Sequence, residues 1–224
     1  MIDPISGLAR YLSADVRAIG SLGQNVANLT TPGFRAVQHV ENFGSQLGSV
    51  DKVDTRDGAL LHTGRSLDVA LQGPGFFQVS MNGQTFLTRD GQFHLGADGN
   101  LTDAMGRAVM GAGGPISLSS DEVTIGEDGT IRSGDDVLDT LAVVDVGDGA
   151  TLQSLGNNLY SATGDLSPSS AHVHQGALEG SNVDPGHEMV RLMEVMRHAS
   201  SVQHAISTYH SALVSGIDQL GKDS

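Results

Sequence analysis

The sequence predicts an α+β chain in which two heptad helices, one at each end, pair in a helical domain that holds an inserted antiparallel β domain of barrel or sandwich type. Three observations predict it. Apolar residues recur at alternating steps of three and four near both termini. The middle instead reads as short strand-like runs closed by Asn-Gly and Asp-Gly pairs. Most of the 30 glycines among the 224 residues fall in that middle. The boundaries that follow are 1–35 plus 180–224 for the helical domain, 36–66 for an extended linker, and 67–179 for the β domain.

The first helix is read from Ile5, Leu8, Leu12, Ile19, Leu22, Val26 and Leu29, a narrow apolar seam of the kind that packs on another helix. Asp15 breaks the series. Thr31-Pro32-Gly33 then ends it: proline disfavours helix at the residue before it and has no amide to donate, and glycine permits a positive φ. Asn25 and Asn28 put amides in the last turns, able to bond freed carbonyls or a neighbouring chain. The stop sends the chain out of the helical layer at a fixed point, through Phe34.

Short strands follow. Leu67–Leu71 alternates, Phe76–Met81 follows a Gly-Pro-Gly turn, and Asn82-Gly83 is the strongest short hairpin signal. Asp90-Gly91, Asp98-Gly99 and Asp128-Gly129 punctuate further runs. Turn signals about every ten residues suggest antiparallel pairing rather than βαβ units. The second helix starts at Asp184-Pro185, Asp as N-cap and Pro at the first helical position. Leu192, Val195, Ala199, Val202, Ile206, Tyr209, Leu213, Gly216 and Leu220 keep its seam, and Met189, Met193 and Met196 form a second apolar strip beside it. Helices of about 40–55 Å, at 1.5 Å per residue, make a thin core and call for neighbours. Leftover apolar surface is therefore expected to contact other subunits.

Composition excludes several classes. The formal net charge is −14, which argues against nucleic acid and anionic membrane as partners. Residues 1–29 balance two Arg against two Asp, residues 183–224 carry −2, and the remaining −12 lies in the middle. There is no cysteine, hence no disulfide or thiolate metal site. No run approaches the roughly 18 apolar residues of a membrane span, and the amino terminus lacks the features of a cleaved secretory signal.

Catalytic and cofactor signals are weak. His172 and His174 could share a face with a metal only if further ligands existed. His187-Glu188 lacks the second histidine of a zinc-protease helix, position 191 being Arg, and His198, His204 and His210 scatter around a helix. A calcium loop from Asp98 would need Gly and Glu where Asp103 and Val109 stand. No catalytic, cofactor or metal residue is assigned.

Asn25-x-x-Asn28-x-x-Thr31-Pro32-Gly33-Phe34-Arg35 resembles the amino-terminal signature of bacterial flagellar rod and hook proteins. Thr63–Val79, with Gly64-Arg65-Ser66-Leu67-Asp68 and Gln72-Gly73-Pro74-Gly75-Phe76-Phe77, resembles that family's central motif. Thr88–Phe93 and Asp98–Leu101 resemble the strands after it, and Leu155–Tyr160 and Leu178–Asp184 the return to the last helix. The short middle leaves no room for the extra domain of hook proteins. The brief Val37–Arg56 segment points to the proximal-rod type, although Leu155–Tyr160 also resembles distal-rod and hook sequences. His198-Ala199-Ser200-Ser201 departs from the aromatic-containing stretch that many members have there. The resemblance implies an axial structural subunit of the basal-body rod crossing the periplasm. Its terminal helices line an export channel, its partners are other rod subunits, and the flagellar type III apparatus exports it without a cleaved signal. A distal-rod subunit and a ligand-binding β module are the alternatives; an enzyme would need a convergent titratable set.

Overall fold

In the computed structural model, which describes residues 4–40, 50–147 and 150–222, two helices flank a strand-rich middle. Helix α1 spans Pro4–Ala27 and helix α2 spans Pro185–Lys222. The architecture is α+β, and every strand pairing whose register is defined is antiparallel. Two compact units result. One comprises Met1–Val26, Gln38–Val50 and Asp184–Ser224; the other, the β body, comprises Ala27–Val37 and Asp51–Val183. The residues just past the helix stop thus belong with the β body.

The main sheet of the body runs from Thr151–Gly156 through Leu159–Thr163, Gln84–Thr88, Phe76–Met81, Ala108–Gly111 and Leu101–Thr102 to His94–Leu95. Among the described residues this path is open and does not close into a barrel. Its central hairpin joins Phe76–Met81 to Gln84–Thr88 with Met81 opposite Gln84. The turn residues Asn82 and Gly83 have φ of 53° and 78°, the left-handed pair that a two-residue hairpin requires. A separate three-stranded sheet holds Thr124–Ile125, Thr130–Ser133 and Asp136–Thr140.

Alternation along these strands builds the core. Val69, Leu71, Phe77, Val79, Phe93, Leu101, Val109, Ile116 and Ile131 are almost fully buried in one cluster. Phe77 and Phe93 meet edge to face at 5.2 Å, a favoured aromatic geometry. A second cluster joins Val53, Phe76, Leu87 and Tyr160. The Asp-Gly turns are Asx turns: Asp98 accepts from the Asn100 amide and Asp128 from the Thr130 amide. Those backbone bonds hold both carboxyls below the ordinary range.

Two pairings bring the body's entry and exit together. His172–Gln175 pairs with Val69–Gln72, and Ala177–Glu179 pairs with Leu60–His62. The returning chain therefore lies beside the outgoing one, although about 110 residues of sequence separate them. α2 starts as its sequence indicates: Asp184 Oδ1 accepts from the amides of Gly186 and His187 at 2.8 and 3.2 Å, and Pro185 is first in the helix.

Candidate functional site: the motifs converge on a neck

Stretches distant in sequence meet where the chain enters and leaves the β body. The Thr31–Ala36 stretch has an amide or carbonyl for each neighbour. Thr31 closes a turn on Asn28, its amide to the Asn28 carbonyl at 3.2 Å and its hydroxyl to the Asn28 side-chain oxygen at 3.0 Å. The Pro32 carbonyl accepts from Asn158 Nδ2 at 2.7 Å, and the Gly33 amide donates to the Glu179 carbonyl at 2.7 Å. The Arg35 amide donates to the Tyr160 hydroxyl at 3.1 Å and the Ala36 amide to Asn182 Oδ1 at 2.7 Å. Asn182 also donates through Nδ2 to the carbonyls of Asp54 and Arg56, so one side chain ties three backbone segments.

Gly33 has φ +68°, and a Cβ there would overlap the backbone of Arg89 and Asp90. Glycine is required twice over, by conformation and by close approach. Phe34 is buried with Ala36 and Val183, with Leu29 packed against them, so the residue after the stop anchors the junction.

Beneath this backbone lies a buried ionic cluster. Arg35, Arg89 and Glu179 are each about 1% exposed. Arg35 contacts Glu179 at 2.9 Å and Asp57 at 3.2 Å, and donates to the Arg56 carbonyl. Arg89 donates through Nη2 to Asp57 at 2.8 Å and to the Gly73 carbonyl at 2.6 Å, with its Nε 3.6 Å from Glu179. The Arg89 guanidinium also stands 5.7 Å from the Phe76 ring centre, within cation–π range. Glu179 Oε1 accepts from the Gly58 amide at 2.7 Å. Burial pushes the Glu179 carboxyl up, outweighing the two arginines. Burial likewise pushes the Tyr160 phenol up to about 12 and lowers Arg89. Two buried cations and the buried Glu179 carboxylate thus hold one another, with the exposed Asp57 carboxylate closing the cluster on its solvent side; losing a buried member strands the others.

A cavity of about 400 Å³ opens beside this cluster, lined by Arg56, Asp57, Pro74, Phe76, Arg89 and Asp145 among others. On its rim Arg56 is clasped by Asp54 at 2.6 Å, which holds the Asp54 carboxyl below its ordinary value.

The predicted junction residues are thus brought together: Thr31 and Pro32 half-buried, Gly33 and Phe34 buried. Asn82 and Gly83 form their hairpin elsewhere, exposed. Sequence reading missed the roles of Arg35, Asp57, Arg89, Asn158, Tyr160, Glu179 and Asn182. For Arg35, Arg89 and Glu179 the signal was a charge within a motif, but Arg35 and Glu179 are 144 positions apart; Asn158, Tyr160 and Asn182 carried no such signal.

The helical unit has a different texture. On α2, Leu192, Val195, Ile206 and Tyr209 are half-buried and Val202 is buried. On α1, Leu12 is half-buried and Leu22 and Asn25 buried, whereas Ile19 and Val26 are 39% and 48% exposed; Asn28, just past the helix, is half-buried. The least exposed stripe runs instead through Leu12, Asp15, Ala18, Leu22 and Asn25. Asp15, read as an interruption, is buried against His198. Met189, Val190, Met193 and Met196 are each more than half exposed. The side chains of Ile5, Leu8 and Leu213 lie outside the described residues. No described helix is long and apolar enough to cross a membrane. His174 is bonded to Gln72 at 2.8 Å.

An ionic neck that joins distant motifs and terminal helices with uncovered apolar strips define a structural assembly subunit. Residues 70–133 match the family model described as the flagellar hook protein FlgE/F/G D1 domain, and residues 174–218 match that of the flagellar basal body rod FlgEFG protein C-terminal. The flagellar basal-body rod protein FlgF of Caulobacter vibrioides is 30% identical, covering 96% of each chain. That of Rhizobium meliloti is 30% identical over 96% of this chain and 98% of its own. The rod protein FlgG of Agrobacterium fabrum is 34% identical over 74% and 69%. The chain belongs to the flagellar basal-body rod and hook protein family. Within that family it is most like the FlgF rod proteins, and it is a structural subunit rather than an enzyme.

Proposed function

We propose that the chain occupies the proximal part of the flagellar rod, polymerising through α1 and α2 with other rod subunits into an axial tube that transmits torque and encloses the export channel. The observation that carries this reading is the paired apolar surface of the helical unit. A half-buried seam is accompanied by a strip of Met189, Val190, Met193 and Met196 facing outward. Head-to-tail contacts through such a strip generate open helical arrays. Match over full length to FlgF proteins supports the proximal position. On this reading the roles are divided. Leu12, Leu22, Asn25, Leu192, Val195, Val202, Ile206 and Tyr209 serve pairing, Ile19 and Val26 serve contact with neighbours, and the neck locks the entry and exit of the β body together. The near-neutral helices and acidic middle fit a packed inner layer and a solvated outer one. Export by the flagellar type III apparatus, without a cleaved leader, and a rod crossing the periplasm belong to the same reading.

The test is deletion of the gene, complementation with a tagged chain, and fractionation of basal bodies. Loss of motility on deletion and recovery of the tag in the proximal rod fraction are expected. Recovery only in the distal fraction would move the subunit along the rod. Retained motility in the deletion strain would overturn the reading.

A further inference from the structure

We propose that the Asp15–His198 pair fixes the register in which α1 and α2 pack, and thereby the axial position at which each helix meets its neighbours; only that last clause rests on the rod reading. Asp15 sits mid-helix at 7% exposure. Nδ1 of His198 lies 2.9 Å from both of its carboxylate oxygens, and the Tyr11 ring stands edge-on to the imidazole at 6.2 Å.

Burial gives the direction of packing. Counting antiparallel from this contact places Ala18 opposite Val195, Leu22 opposite Arg191, and Asn25 opposite Glu188. All of these α2 residues are buried or half-buried. Counting parallel would place Ala18, Leu22 and Asn25 opposite Ser201, Ala205 and Thr208, all exposed. The antiparallel register alone agrees with the accessibility of both helices.

A stripe that is apolar throughout tolerates sliding by a heptad, a shift of about 10 Å at 1.5 Å per residue. Here both shifts are penalised. One places Asp15 opposite Ala205, leaving a buried carboxylate without a partner, which is strongly unfavourable. The other places it opposite Arg191, a competent partner, but carries Leu22 and Asn25 past Pro185, where α2 begins. A single polar layer in an apolar interface is the best-attested way to specify register, at some cost in stability.

The chain has no cysteine, so introduced pairs report register directly. Full-length protein carrying Ala18→Cys with Val195→Cys tests the proposed register. Ala18→Cys with Val202→Cys tests the one-heptad slip that strands Asp15. The in-register pair is expected to oxidise at least tenfold faster. With Asp15→Leu and His198→Leu added, that ratio should fall toward unity while helical circular dichroism and Tm hold or rise. His198→Gln, which still offers a donor to Asp15, should keep the tenfold ratio, and His198→Leu alone should lose it. A ratio unchanged by the Leu variants, or equal rates without them, overturns the proposal. Incorporation of the double Leu variant into basal bodies should fall at least tenfold. If the unsubstituted chain is itself absent from basal bodies while the cross-linking ratios hold, the rod reading fails and the register assignment stands.

Discussion

The neck and the terminal helices solve opposite problems. In the neck, the Pro32 carbonyl, the amides of Gly33, Arg35 and Ala36, the Asn182 side chain and Glu179 Oε1 all find partners from distant stretches, and the side chains of Arg35, Arg89 and Glu179 are about 1% exposed. In the helical unit, Met189, Val190, Met193 and Met196 on α2 stay more than half exposed and a seam is only half covered. The difference lies in where the interactions end. The neck is completed inside one chain, so its stability is intramolecular. On the proposed rod reading the exposed strip of α2 is buried against another chain, which makes the stability of the helices depend on concentration and assembly. The proposed axial subunit uses both: a β body whose entry and exit are locked within the chain, and helix surfaces that become covered in the polymer.

Substitutions should separate the two, and the largest effect on the β body is expected in the neck. Arg35→Ala leaves Glu179 buried with one cation fewer, and breaking a buried pair by removing one partner typically costs about 3–5 kcal/mol. At about 2–4 °C per kcal/mol for a domain of this size, differential scanning calorimetry should show the body's Tm falling by about 6–20 °C. An unchanged Tm would mean that the cluster does not hold the neck of the β body together.

Gly33→Ala comes next. The left-handed φ costs about 1–2 kcal/mol for a residue with a side chain, and the overlap with the Arg89–Asp90 backbone adds to it. The body should lose several degrees of Tm, and motility should fall because the Pro32–Asn158 and Gly33–Glu179 bonds of the neck are broken. Normal swimming by this variant would detach the helix stop from function.

A smaller, pH-dependent effect comes from Glu179. Its carboxyl is pushed up by burial, so the folded chain holds that proton more tightly than the unfolded chain. The resulting contribution is fully present below the ordinary carboxylate range and is lost as pH rises through the raised value. Glu179→Gln has no such proton. In urea titrations at pH 4, 5.5 and 7, the stability of the natural chain relative to Glu179→Gln should therefore decline with pH. A rising difference would show that the two arginines, not burial, dominate the site.

How far these features were legible in the sequence follows the same division. Both helices, the Asp184 cap, the Asn82-Gly83 hairpin and the Asp-Gly turns are local signals, and local signals survive folding because their partners lie within a few residues. The frame of the α1 stripe did not. Ile19 and Val26 satisfy the apolar series, yet the less exposed line passes through Asp15 and Asn25, because a carboxylate paired with His198 can be buried as a leucine can. Hydrophobicity alone assigns Asp15 to solvent. The neck was visible only as strings resembling a family. That Arg35, Arg89 and Glu179 meet depends on strand pairings between segments more than 100 residues apart, which no periodicity encodes.

The smallest effect on the body, and the sharpest contrast with assembly, is expected for Ile206→Asp. Ile206 lies on the half-buried line of α2, three to four residues from both Val202 and Tyr209. In a packed helical interface, loss of such a side chain removes apolar burial and introduces a carboxylate with no designed partner, both destabilising. In the isolated chain the helices have few neighbours, and helices depend on tertiary packing for most of their stability. The β body's Tm should therefore shift by less than about 2 °C, which at this size corresponds to less than about 1 kcal/mol. Incorporation into basal bodies should be abolished. If instead the whole chain unfolds in one transition at a much lower temperature, the helices and the β body form a single cooperative core. The division of labour between a self-sufficient neck and partner-dependent helices would then be wrong.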